Sequence, residues 1–338
     1  MTTLDSGRSG SDSDESVGNS ETSSAIKVKV SSGVSETLSS DSSLSDVFLP
    51  DGEGGFSINP KNRILSGHFP EMPIVPGVIA KRLLSTLTDA DPYHLQDVAE
   101  DRLAWHTEFV SVITPKTSNI RICQDADGHS LKSGDKTLVR ISLKPARLTD
   151  VEAERPIDLR SHHLKDLFQS SIESIERENV DRFLLQSDPF RFVTAGGSLE
   201  GSEVPKPKIL GGFFNVPEEF VHFSPSRTVP MEIIEESVAQ IFSFAYAKTR
   251  GLPEVILADT GEINPKARIL TFKSSVSEAG SSELFEHDQL FVAMEILSES
   301  DNGVSIAYEA WNCIRRDVLR GTIEAGIVPV RLLKRIAG

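Results

Sequence analysis

The run "SGHFPEMPIVPGVIAKRLLSTL", residues 66 to 87, sets a histidine in a Gly-His-Phe-Pro turn, follows it with Pro73, Pro76 and Gly77, and then becomes apolar and helix-like. An imidazole titrates near neutral pH, so His68 held beside a helix start has the chemistry of a general base. The same residue can equally be a turn histidine with a structural hydrogen bond. General acid–base work also needs an acid, and none follows on this helix, where Lys81 and Arg82 stand instead. Those two cations read as a solvated face or, alternatively, as a hold for a phosphate.

A second run, "VHFSPSRTVPMEIIEESVAQIFSFAYAKTRG", repeats the order of turn, prolines and helix. Aligned without a gap, the two runs pair His68 with His222, Phe69 with Phe223, Pro76 with Pro230, Gly77 with Met231 and Arg82 with Glu236. The flanking segments repeat as well. In the first block a strand and turn ("GGFSINPKNRIL") lead to a helix with Val78, Ile79, Leu83, Leu84 and Leu87 at helical spacing. "RLAWHTEFVSVI", "SNIRICQD" and "KTLVRISLKPARL" then alternate as strands, with "DADGHSLKSGD" as the hairpin between the last two. In the second block "DPFRFVTAGGSLEG" and "KILGGFFNV" precede a long helix that is apolar on more than one face. "RILTFKSSV", "DQLFVAMEILSES", "VSIAYEAWNCI" and "RGTIEAGIVPV" close the chain as a meander. The expected class is α+β, built by internal duplication.

These motifs resemble the hotdog-fold β-hydroxyacyl-[acyl carrier protein] dehydratases of fatty-acid and polyketide synthesis. That family carries His-Phe-Pro-x-x-Pro-x-x-Pro-Gly, with a Glu or Asp fourteen residues after the His and often a Gln four further on. "HFPEMPIVPG" matches the first part, while His222, Pro230, Glu236 and Gln240 keep the spacing of the second. The resemblance implies a double hotdog: two long helices, each wrapped by a curved antiparallel sheet, paired as a pseudo-dimer. It also implies a composite active site in which His68 and Gly77 from one half meet Glu236 from the other. His68 would take the α-proton of a 3-hydroxyacyl thioester and Glu236, kept protonated by an apolar tunnel, would release the hydroxyl as water. Pro76 at the helix start would leave the Gly77 N–H free to hold the enolate-like oxygen. The alternative site, His222 and Met231 with Arg82, lacks an acid and is expected to be silent or structural. Gln240 is expected either to support the helix or to touch substrate.

The implied partners are an acyl carrier protein or acyl-CoA thioester and other synthase components, with no metal or redox cofactor. Three rivals were weighed. A hotdog hydratase would carry an Asp where Arg63 and Pro217 stand. A hotdog acyl-thioesterase would release free acid, and a non-catalytic double hotdog would bind or dock an acyl carrier without turnover.

Composition narrows the classes further. A formal charge of −15 over 338 residues disfavours nucleic-acid binding, which needs clustered Lys and Arg. No apolar run approaches a membrane span, and two isolated cysteines, Cys123 and Cys313, fit a reducing cytoplasm and no zinc spacing. Residues 1–45 are Ser-, Asp- and Gly-rich and read as a disordered tail, with "AIKVKV" as one strand-like exception. Residues 46–150 then form the first unit, 151–182 a linker with helix, and 183–338 the second unit bearing Glu236. Trp105 and Trp311 read as core residues, and the His162–His163 pair as a polar connection.

Overall fold

A computed structural model describes residues 42–69, 71–88, 103–126, 128–145, 177–187, 190–200, 206–215, 228–280, 284–285, 288–312 and 317–337. The "AIKVKV" strand, His162–His163, His222 and Cys313 lie outside these residues. The first described element spans the expected boundary at 45. Helix α1 (Ser42–Val47) puts Leu44 and Val47 into the core with no exposure.

The first half runs β1 (Phe48–Pro50), β2 (Phe56–Ile58), α2 (Arg63–His68), α3 (Gly77–Leu87), β3 (Leu103–Phe109), β4 (Ile120–Asp125), β5 (Gly128–Ser133) and β6 (Lys136–Pro145). After α4 (Arg177–Phe183) the second half runs β7 (Ala195–Ser198), β8 (Ile209–Asn215), α5 (Met231–Thr249), β9 (Arg268–Ala279), β10 (Gln289–Ser300), β11 (Gly303–Asn312), β12 (Asp317–Pro329) and a closing helix α6 (Val330–Ala337). Each half is thus two strands, a helix and a four-stranded meander.

The twelve strands form one sheet in the order β1-β2-β4-β5-β6-β3-β9-β12-β11-β10-β8-β7. Read outward from the centre, both halves use the same permutation, so the duplication seen in the sequence is repeated in the topology. The halves join through β3 and β9, antiparallel, with Trp105 opposite Ser277 and Thr107 opposite Ser275. Inside the sheet, α5 is buried from Met231 to Ala247 on nearly every face, as its all-round apolar pattern requires.

One strand expectation is corrected. "DADGHSLKSGD" is more than a hairpin, because it contains β5, which pairs with both β4 and β6 and buries Leu131 completely. The tight turn is its last part, where Gly134 takes the left-handed φ of 58°. After the meander, "VRLLKRIA" is a helix without a counterpart among the expected elements, anchored by Val330 and Leu333. The tryptophans differ: Trp105 is fully buried, whereas Trp311 is half-buried and stacks on Phe291.

Lys81 is not on a solvated face. Its side chain has no exposure, and its ammonium donates to both carboxylate oxygens of Glu235, at 2.6 and 2.7 Å. This also removes it as a phosphate hold. The two residues are 154 positions apart, the offset that takes His68 to His222, so equivalent positions of α3 and α5 meet where the halves face each other. Identical halves would place like charges there; this chain places opposite ones. Breaking one side of a buried pair is costly because the other charge is left unpaired. Lys81→Met should therefore lower the unfolding free energy by about 3–5 kcal/mol, and Lys81→Met with Glu235→Gln should recover most of that loss. Denaturant titration of the three proteins would check it, and a full loss retained in the double variant would refute it.

Candidate active site

Asn62 caps α2 by accepting from the Ile64 N–H at 2.6 Å, and His68 is the last residue of that one-and-a-half-turn helix. The imidazole Nδ1 lies 3.1 Å from the Ile74 carbonyl oxygen. A carbonyl only accepts, so Nδ1 carries the hydrogen and Nε2 keeps its lone pair. The ring packs at 4.0 Å from the Phe69 ring and edge-on to Phe190 at 5.3 Å. The turn is also tied to the second half, since the Ser187 N–H donates to the Gly67 carbonyl at 2.6 Å. Segments distant in sequence thus fix where Nε2 points.

Nε2 points at the second half. Glu236 Oε1 lies 4.0 Å away, too far for a direct hydrogen bond. Both residues are buried, at 7% and 5% exposure. Gln240, one turn along α5, donates to Glu236 Oε1 at 2.9 Å and to the Phe190 carbonyl at 3.0 Å, while its own oxygen accepts from the Phe192 N–H at 2.9 Å. With its amide so engaged, Gln240 holds the carboxyl and the Phe190–Phe192 segment together.

Burial sets the resting proton positions. It pulls His68 down to about 4, against the opposing bond to Ile74, so the imidazole is neutral at pH 7. It pushes Glu236 up to about 7, helped by the neighbouring Glu235 charge and opposed by hydrogen bonds from Gln240 and Gln186. A neutral imidazole beside a protonatable carboxyl is a base and an acid in one place.

A cavity of about 370 Å³ opens onto both groups. His68, Gly77, Glu235 and Glu236 line it together with Ala239, Ser243 and Ala247 of α5, and its walls are mostly apolar. Gly77 is the first residue of α3, behind Pro76, where a helical N–H has no intrahelical partner. A Cβ there would come within 2.5 Å of the Phe109 ring, so the ring already fills the space that a side chain would need. Close packing by Phe109 thus favours glycine at this position.

Of the second expected site, Met231 and Arg82 are among the described residues and His222 is not. Met231 is buried at the start of α5. Arg82 lies 3.5 Å from Glu232, whose other oxygen accepts from Ser85 at 2.8 Å. Sequence reasoning missed Gln186 and the Glu235–Ser277–Tyr308 chain. Ser277 donates to Glu235, and Tyr308 donates to Ser277 at 3.2 Å. The adjacent acidic pair at 235 and 236, opposite a cation at the equivalent helix position, was the available signal. Among the described residues, no cluster of three or more His, Cys, Asp or Glu can hold a metal ion, and no helix is long and apolar enough to cross a membrane.

At the level of sequence, no family model matches the chain and no curated protein matches it. Solved structures do. The dehydratase domain of the CurF module of curacin polyketide synthase superposes with a TM-score of 0.50 at 10% identity, covering 80% of this chain and 91% of that domain. The chain is a double hotdog. The dehydratase domain of PpsC from Mycobacterium tuberculosis, solved with C12:1-CoA, gives 0.48 at 11% identity, covering 83% and 97%. The tesB protein of Mycobacterium avium subsp. paratuberculosis gives 0.45 at 12%, covering 88% and 100%. At these identities the likeness is one of fold.

The Glu236 shift has a consequence for stability. Between the ordinary carboxyl value of 4.5 and about 7, the folded double hotdog retains a proton that the unfolded chain releases. Stability therefore falls as pH rises through that window and stays lowered above it. Glu236→Gln removes the penalty, so it should raise the unfolding free energy at pH 8 by up to about 3 kcal/mol and change little at pH 4. Equal effects at both pH values would show that the carboxyl is not held protonated.

Proposed function

We propose that this double hotdog dehydrates a 3-hydroxyacyl thioester to the trans-2-enoyl thioester, using one composite site per chain. The observation that carries the reading is the pairing of a neutral His68, its Nε2 lone pair free, with a protonatable Glu236 across 4.0 Å of an apolar cavity. Two groups in contact would neutralise each other. Two groups separated by that gap can address neighbouring carbons of one bound molecule.

In this mechanism Nε2 removes the proton from the carbon next to the thioester carbonyl. Negative charge moves onto the carbonyl oxygen, where the Gly77 N–H, at the positive end of α3, stabilises it. Glu236 delivers its proton to the departing hydroxyl, and water leaves. Proton gain by His68 and loss by Glu236 balance, and the pair is reset by transfer back through solvent. Nothing in this sequence needs a redox partner. An acyl group tethered to a carrier protein or to coenzyme A fits a buried site reached through a narrow cavity. We read His222, Met231 and Arg82 as the remains of a second site: the chain has a methionine where an oxyanion amide would need room, and a guanidinium cannot serve as the acid.

The test is loss of water from a 3-hydroxyacyl thioester, followed by formation of the enoyl product. His68→Ala and Glu236→Gln should each lower kcat/KM by about 10²–10⁴-fold, whereas Arg82→Ala and His222→Ala should largely spare it. Loss of activity in His222→Ala with His68→Ala tolerated would assign the wrong half. Free acid in place of enoyl product would identify a thioesterase, and carrier binding without turnover a docking protein.

The pH profile should be a bell. Activity should rise with pH through about 4 as His68 loses its proton, and fall above about 7 as Glu236 loses its own. A profile still rising at pH 9 would contradict the assignment of the acid.

A further inference from the structure

Two carboxyl groups, Glu235 and Glu236, stand next to each other on α5, both about 5% exposed and both lining the cavity. Neighbouring carboxylates repel, and the repulsion disfavours ionisation of whichever one lacks a counter-charge. As a pair of like residues they offer no choice between them. Their surroundings do. Glu235 receives the Lys81 ammonium on both oxygens and the Ser277 hydroxyl on one, and Tyr308 donates to Ser277 behind it. Lys81 itself is enclosed, with its ammonium 5.0 Å from the centroid of the Trp105 ring. Glu236 receives amide hydrogens from Gln240 and faces the imidazole of His68.

We propose that Lys81 is a positioning residue for the acid: by supplying Glu235 with a buried counter-charge, it commits Glu235 to the carboxylate and leaves the proton on Glu236. The proposal rests on the dehydratase reading for its catalytic meaning and on the geometry alone for the placement of the proton. It gives the first half's helix a second contribution to the working site. The helix that lacks an acid supplies the cation that tells two adjacent acids apart.

The titratable groups next to Glu236 are His68 from α2 and Glu235 on α5, while Lys81 from α3 and Tyr308 from β11 stand on the Glu235 side. Arg268 and Lys273 of β9 line the same cavity, and Gln186 and Gln240 are the neutral partners. Among these, the repulsion from Glu235 helps keep the proton on Glu236.

The experiment compares full-length wild type, Glu235→Gln, Lys81→Met and the double variant Lys81→Met/Glu235→Gln. Each is read by the alkaline limb of kcat/KM and by the 13C carboxyl titration of Glu236 in glutamate-labelled protein. Glu235→Gln and the double variant should each lower the Glu236 midpoint, because the adjacent negative charge is gone. Lys81→Met, which leaves two carboxyls to share one proton, should make the Glu236 titration biphasic. The double variant is neutral and remains informative if either single variant fails to fold. An unmoved Glu236 midpoint in the folded double variant would overturn the proposal and make the pair purely structural. If wild type shows no dehydration, the functional reading fails, while the carboxyl titration still decides where the proton sits.

Discussion

The arrangement turns on two neighbouring carboxyls, Glu235 and Glu236, buried on one helix and satisfied in opposite ways. One is neutralised by a cation from the other half of the chain. The other is supported by amides and kept close to an imidazole, also from the other half. A charge left without a partner in that core would be among the costliest defects available to the fold. Both carboxyls therefore require the two halves to meet in this one alignment. The β3–β9 junction supplies it, through ladder hydrogen bonds that place Trp105 and Ser277 opposite each other.

Duplication explains how such asymmetry arises within a symmetric frame. The strand order is the same in both halves, so a residue and its counterpart 154 positions on occupy equivalent places. Where two identical helices would set like against like, Lys81 meets Glu235. Where α5 carries Glu236, α3 carries Arg82, which lies beside Glu232. The first helix keeps Gly77 at its start and the second has Met231 there. On the proposed function, these differences leave the base and the acid together on one side of the pseudo-dimer.

Much of this was legible in the residues. The repeated turn–proline–helix order gave the two central helices, and the family resemblance implied the pairing of His68 with Glu236, which lie 4.0 Å apart. The all-round apolar character of the Met231 helix announced its burial. Other features were hidden for physical reasons. Lys81 has the composition of a surface residue, and only the three-dimensional meeting of equivalent helix positions explains why a lysine can have no exposure there. The β5 strand, within "DADGHSLKSGD", is short and polar apart from Leu131, so its alternation is masked by the turn residues around it. Gln186 and Ser187 act on the site from a segment whose sequence carries no motif. Their effect depends on the Ser187–Gly67 bond, which joins parts of the chain 120 positions apart.

The central claim is that His68 and Glu236, one from each half, work as a single acid–base unit. Kinetics of His68→Ala, Glu236→Gln and the combined variant on one 3-hydroxyacyl thioester test it most directly. Groups that act as a unit lose their function together, so the combined variant should be no slower than the slower single variant. Losses that multiply in the combined variant would mean that the two residues act independently, and would contradict the composite site.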